Sequence, residues 1–129
     1  MSTILVNTLT GTSTAGSIAV TGEGGSTTTN LQQGLAKAWC FFHGSGSVSF
    51  LDSLNAASIT DNGTGDYTLG WTNSFSTGNY SSPAAGRSYV LTGNLAVSTT
   101  STLRIRVTGS GGTNTDDTNI STAHLGDLA

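Results

Sequence analysis

Apolar residues recur at every second position through the middle of this chain, and that spacing predicts strands. The strongest runs are residues 36–42, 48–51 and 67–71. Between them stand Gly44-Ser45-Gly46 and Asp61-Asn62-Gly63-Thr64-Gly65, both rich in residues that reverse a chain. In the first run Ala36, Ala38, Cys40 and Phe42 share one face, and Lys37, Trp39, Phe41 and His43 the other. Aromatic residues on both faces place such a strand between two layers or at a subunit interface. After the glycine turn Val48 and Phe50 resume the alternation, and residues 54–59 read as its continuation toward Asp61. Asn62-Gly63 is the favoured pair for a two-residue hairpin because both positions tolerate positive φ, with Gly65 available for a bulge. Tyr67, Leu69 and Trp71 then line one face of the returning strand. Residues 88–97 and 101–108 predict two more strands, the second with Leu103, Ile105 and Val107 alternating against Thr102, Arg104, Arg106 and Thr108. A weak strand over residues 120–128 closes the chain, giving roughly seven to nine strands, as a sandwich of this length requires.

The N-terminal third is different. Ile4, Val6 and Leu9, then Ile18 and Val20, repeat the alternation over two short strands with too little apolar surface to stand alone. Residues 21–29, TGEGGSTTT, read as a flexible linker. Asn30 is placed to cap a short helix, with Gln33 three residues on; Leu31, Leu35 and Ala38 keep a helical spacing that suits packing on an axis shared by sister chains. The expected organisation is an all-β protein: an attachment and oligomerisation segment over residues 1–35, extended apart from its short helix, followed by an antiparallel β-sandwich-like domain over 36–129.

Composition agrees with this. Hydrophobic residues make up 35% of the chain and charged residues only 9%, while Ser, Thr, Asn and 18 glycines fill the rest, which disfavours helix. A net charge of −3 with four basic residues argues against a nucleic-acid partner, which needs a basic surface. The single cysteine has no internal partner, so Cys40 is expected as a buried apolar filler. No apolar run reaches the length that spans a bilayer, and no basic region followed by a hydrophobic one opens the chain, so membrane insertion and export are not expected.

Candidate chemistry is sparse. His43 and His124 lack the spacing of a zinc site and are expected at the surface or at strand ends. Asp61 with Asp66, and Asp116 with Asp117, are explained by turn-making and loop solvation. There is no nucleophile elbow with plausible partners and no phosphate-binding loop. No catalytic residue, metal or cofactor is therefore expected, and the chain does not read as an enzyme. Trp39 and Trp71 lie inside apolar runs, which favours core packing over stacking on sugars. Arg104 and Arg106 share one strand face, where keeping the sheet soluble is favoured over gripping a carboxylate or an acidic sugar. The polar loops 72–86 and 109–119 are the candidate contact regions, with Phe75 and Tyr80 as the expected anchors of the first and Asn114 and Asp116 in the second.

Three segments carry a resemblance: ILVNTLTGTSTAGSIAVTGEGGSTTTNLQQGLAKAW over residues 4–39, DNGTGDYT over 61–68, and HLGDLA over 124–129. In these the chain resembles small tail fibre or structural proteins of tailed bacteriophages, common in cyanophages. The resemblance implies a virion component on the tail or capsid surface, a homotrimer whose N-terminal segment docks on baseplate, tail or capsid proteins and whose β-rich domain faces outward. Leu31, Leu35, Trp39 and Phe41 are the expected oligomer interface, and Phe75, Tyr80, Asn114 and Asp116 the expected receptor-facing residues, with a host surface glycan as the expected target. A capsid decoration protein or head fibre is the alternative. Relatives often carry an aliphatic residue at the position of Cys40 and a polar one near Phe42.

Overall fold

A computed structural model describes residues 3–11, 18–88, 90–93 and 97–129. The chain divides into two units, Met1–Leu35 and Ala36–Ala129.

In the first unit β1 (Ala19–Thr21) pairs antiparallel with β2 (Thr28–Asn30), Val20 opposite Thr29. The stretch expected to be a linker is thus a hairpin. Gly22 N–H donates to the Thr27 carbonyl and Gly25 N–H to the Gly22 carbonyl, while Gly25 takes φ +75° at the turn. Helix α1 (Leu31–Gly34) is a single turn capped by Asn30, whose side chain accepts from Gln33 N–H at 3.0 Å, while Leu31 N–H donates to the Ile18 carbonyl. Leu35 already has extended dihedrals and Ala38 belongs to the next strand, so the helical spacing expected of Leu31, Leu35 and Ala38 does not hold. No residue of α1 is buried. Residues 3–11 form no strand, contrary to expectation, and Ile4, Leu5, Val6 and Leu9 are 58–91% exposed. Residues 12–17, between the two short strands expected there, lie outside the described residues.

The second unit is a two-layer antiparallel structure. One sheet has the order β4-β3-β10-β7, the other β5-β6-β9-β8. Their strands are β3 (Ala38–His43), β4 (Ser49–Leu54), β5 (Ala56–Gly63), β6 (Asp66–Trp71), β7 (Ala84–Gly86), β8 (Val90–Gly93), β9 (Thr102–Thr108) and β10 (Ile120–His124). Alternation decides what lies between the layers. Ala38, Cys40, Phe42 and Ile120 from the first sheet join Tyr67, Leu69, Trp71, Leu103, Ile105 and Val107 from the second in one buried cluster. The Phe42 and Tyr67 rings meet edge to face across it, centroids 5.3 Å apart.

Four local readings change. Residues 54–59 are not one strand: Asn55 takes φ 58°, and the chain passes there from one sheet to the other. The Asn55 side chain fixes this corner by donating to the Asn73 carbonyl and accepting from Asn73 N–H at 2.7 Å. The hairpin turn is Thr64-Gly65 rather than Asn62-Gly63, because a register shift between Asp61 and Gly63 keeps both of the latter in β5. The loop over residues 72–86 contains β7, which pairs with β10. The weak final strand is in fact central: β10 lies between β3 and β7, its Thr122 opposite Cys40 and Ala84. Of the strand expected over 88–97, residues 90–93 are β8; residues 89 and 94–96 lie outside the described residues.

Candidate interaction surfaces

Alternate residues of β10 put Thr122 and His124 into the core beside Ile120, and buried polar groups need partners. A chain of side chains supplies them. Thr122 Oγ1 lies 3.1 Å from Cys40 Sγ and 3.0 Å from His124 Nε2, and His124 Nδ1 lies 3.0 Å from Ser82 Oγ. Aromatic rings enclose the imidazole, Trp71 at 4.6 Å and Tyr80 at 6.1 Å between centroids. Burial pushes the Cys40 thiol up to about 11 and His124 down to about 4, so both are neutral at pH 7. A protonated thiol is a poor nucleophile, and with both residues fully buried the arrangement serves packing and polar satisfaction. His124 ends β10, which fits the strand-end reading, but it is buried and not at the surface: with Ile120 and Thr122 it makes a period-2 inward face that the polar letters conceal.

The far end of the sandwich is pinned by Tyr67. Its hydroxyl donates to the Gly44 carbonyl, with an Asp116 carboxylate oxygen 3.1 Å away, and burial pushes its pKa up, with the hydrogen bond to Asp116 as the next cause. Asp116 also accepts from Gly65 N–H at 2.7 Å, and Asp117 accepts from Ser88 and Asn119 N–H. The acidic loop thus ties down neighbouring backbone. Among the described residues no group of three or more His, Cys, Asp or Glu is placed to hold a metal ion, and no helix is long and apolar enough to cross a membrane.

The two outer faces differ in character. On the β4-β3-β10-β7 sheet Trp39 stands between Leu54 and Ala123, and Phe41 between Asp52 and Ser121, with Ala85 beyond. Phe41, Leu51 and Leu54 are 37%, 56% and 49% exposed, and Trp39 is half-buried. Beside them a shallow groove of about 220 Å³ is lined by Pro83, Ala84, Ala85, Ser121, Thr122 and Ala123. The opposite outer face presents Thr60, Asn62, Asp66, Thr68, Thr102, Arg104 and Arg106 from β5, β6 and β9. One face is apolar and the other wet, and a contiguous exposed apolar patch is uncommon on a protein that stays alone.

The sequence-predicted site residues fall in separate places. Leu31, half-buried, and Leu35, 54% exposed, belong to the first unit; Trp39 and Phe41 share the apolar outer face of the second. Trp71 is in the core as expected, but Trp39 is not, because the second layer covers only the Cys40 face of β3. Phe75 and Tyr80, expected to face a receptor, are 1% and 6% exposed: they stack on each other at 4.2 Å, and the Tyr80 hydroxyl accepts from Trp71 Nε1–H and donates to the Thr102 carbonyl. They anchor their loop and are closed to a ligand. Asn114 is half-buried in a bridge to Thr108, and Asp116 is exposed but engaged as above. The apolar patch beyond Trp39 and Phe41 was missed in the sequence because Leu54 was read as the start of the run over residues 54–59 and the pairing of β4 with β3, with its bulge opposite Phe41 and Phe42, is not a local signal. Comparison of the chain with protein-family models, with curated proteins and with solved structures finds no match.

Proposed function

We propose that the chain is a structural component of a bacteriophage particle, a homotrimer that attaches through residues 1–35 and displays the sandwich outward, on a tail fibre or short tail spike. The observation that carries this reading is the contrast between the two outer sheet faces. A domain with a complete core of its own still exposes Phe41, Leu51 and Leu54 beside Trp39, a surface that suits burial against sister chains. The first unit supports attachment: its apolar side chains Ile4, Leu5, Val6 and Leu9 are exposed and its helix buries nothing, so docking would supply the burial the unit does not make for itself. Joining copies also gives weak surface contacts avidity, which fits a display role. The sequence resemblance to phage structural proteins supports the particle as the setting.

Immunogold microscopy of intact particles with antibody raised against the sandwich tests this reading. Gold at the tail end is the expected result. Gold over the head instead assigns the chain to capsid decoration, and particles without gold, in preparations where the chain is detected free, contradict a virion role.

A further inference from the structure

The wet outer face carries a cluster that the structural role does not use. The chain has four basic residues, and two of them, Arg104 and Arg106, stand on this face of β9, one alternation apart and so roughly 7 Å from each other along the strand. On β6, directly opposite Arg106 and diagonal to Arg104, lies the single carboxylate of Asp66, which both reach. Arg104 takes it as a fork: Nε donates to Oδ1 at 2.7 Å and Nη2 to Oδ2 at 2.6 Å. That hydrogen bond holds the Asp66 carboxyl below the usual carboxylate range. Arg106 gets only what is left, one contact from Nε to Oδ2 at 3.3 Å, on an oxygen that Arg104 already occupies. Its guanidinium is 42% exposed, and among the described residues no other partner engages it.

Two guanidinium groups therefore share one carboxylate, giving a local positive charge on a chain of net charge −3. The neighbouring strands add hydroxyl and amide groups in register. Thr68 is opposite Arg104, Thr60 is opposite Thr68, and Asn62 donates to Thr68 Oγ1 at 2.8 Å and reaches Asp66 Oδ1 at 3.4 Å. The Asp66 carboxylate fixes Arg104 in place, and with Arg106 Nε turned to Asp66, the two terminal Nη groups of Arg106 form the fork left for a second carboxylate.

We propose that this face binds a carboxylate-bearing saccharide, a uronic-acid unit whose carboxylate docks on the Arg106 fork and whose ring hydroxyls lie over Thr60, Asn62 and Thr68. The flat, polar, hydroxyl-lined sheet suits a sugar polymer better than an apolar ligand, and a guanidinium pairs with a carboxylate through two parallel hydrogen bonds. The inference deepens the host-contact part of the proposed function. It is tested by binding, whereas that function is tested by position on the particle, so either can fail alone.

The experiment is calorimetric titration of the full chain with oligogalacturonate, maltoheptaose and dextran sulfate at low salt. Oligogalacturonate is expected to bind and maltoheptaose not to. Arg106→Gln is expected to weaken oligogalacturonate binding at least about tenfold with an unchanged thermal midpoint, because its guanidinium is exposed and holds little of the fold. Arg106→Lys keeps the charge but not the fork and is expected to fall between the two. No binding of oligogalacturonate, equal binding of dextran sulfate, or an Arg106→Gln variant that binds like the parent chain would each overturn the proposal.

Discussion

Replacing Gly65 with alanine is expected to lower the stability of the sandwich by roughly 3–5 kcal/mol, a large share of what a domain of this size possesses. The added Cβ would sit 2.6 Å from Thr115 N, Thr115 O and Val107 O, all backbone atoms that cannot swing aside, and the residue holds φ +62°, which alanine adopts only under strain. Relief requires the hairpin tip to move. Movement breaks the bond from Val107 N–H to the Gly65 carbonyl and the one from Gly65 N–H to Asp116, so β6, β9 and the acidic loop separate together. Gly111→Ala is the control: its Cβ meets nothing within 4 Å, and a change within about 0.5 kcal/mol is expected. Urea unfolding of both variants checks the pair; equal midpoints would contradict the account of the tip.

Acidification is the second large effect. His124 has its pKa lowered by burial to about 4, from an ordinary value of 6.5. The unfolded chain therefore takes up a proton on this residue as pH falls through 6.5, while the folded chain does not until about pH 4. Stability is complete above the upper value and declines through that window, by roughly 3 kcal/mol in all. The groups facing the imidazole are Ser82, Thr122, Trp71 and Tyr80, none of which carries a compensating negative charge. Asp66, whose carboxyl is held low chiefly by the hydrogen bond from Arg104, adds its own loss only below 3.8. Urea midpoints measured from pH 7 to pH 4 are expected to fall steeply in the parent chain and less in His124→Gln; parallel curves would show that another group sets the acid limit.

The layered β architecture was legible because period-2 spacing survives wherever one face is apolar. Residues 67–71 and 101–108 show it plainly, and both became central strands. It fails where polar residues are buried or apolar ones are exposed. β10 looked weak because Thr122 and His124 occupy inward positions, and their suitability depends on Cys40 and Ser82, brought in from distant parts of the chain. Asn55 hid a change of sheet inside an apolar stretch, since a single left-handed residue leaves hydrophobic periodicity almost unchanged. The hairpin moved two residues because a bulge, set by tertiary contacts of Gly65, outweighed the local preference of Asn62-Gly63. Phe75 and Tyr80 were visible as loop aromatics, but their stacking on each other and their edge-to-face contacts with Trp71 were not.

Trp39 and Phe41 could be assigned to the second face of β3 from sequence, whereas Leu51 and Leu54 joined them only once the strand pairing and its bulge were known. The same registers brought Asp66 opposite Arg106 and within reach of Arg104, residues that a linear reading reports as far apart. Side-chain types were thus readable throughout; their company was not.

Native mass spectrometry of the full chain at micromolar concentration, beside the double variant Phe41→Glu with Leu54→Glu, tests most directly the claim that the apolar sheet face joins copies. The parent chain is expected at the mass of three chains of 13.0 kDa each, and the variant at the mass of one, with its sandwich still folded. A parent chain that is monomeric, or a variant that remains trimeric, would contradict assembly through this face.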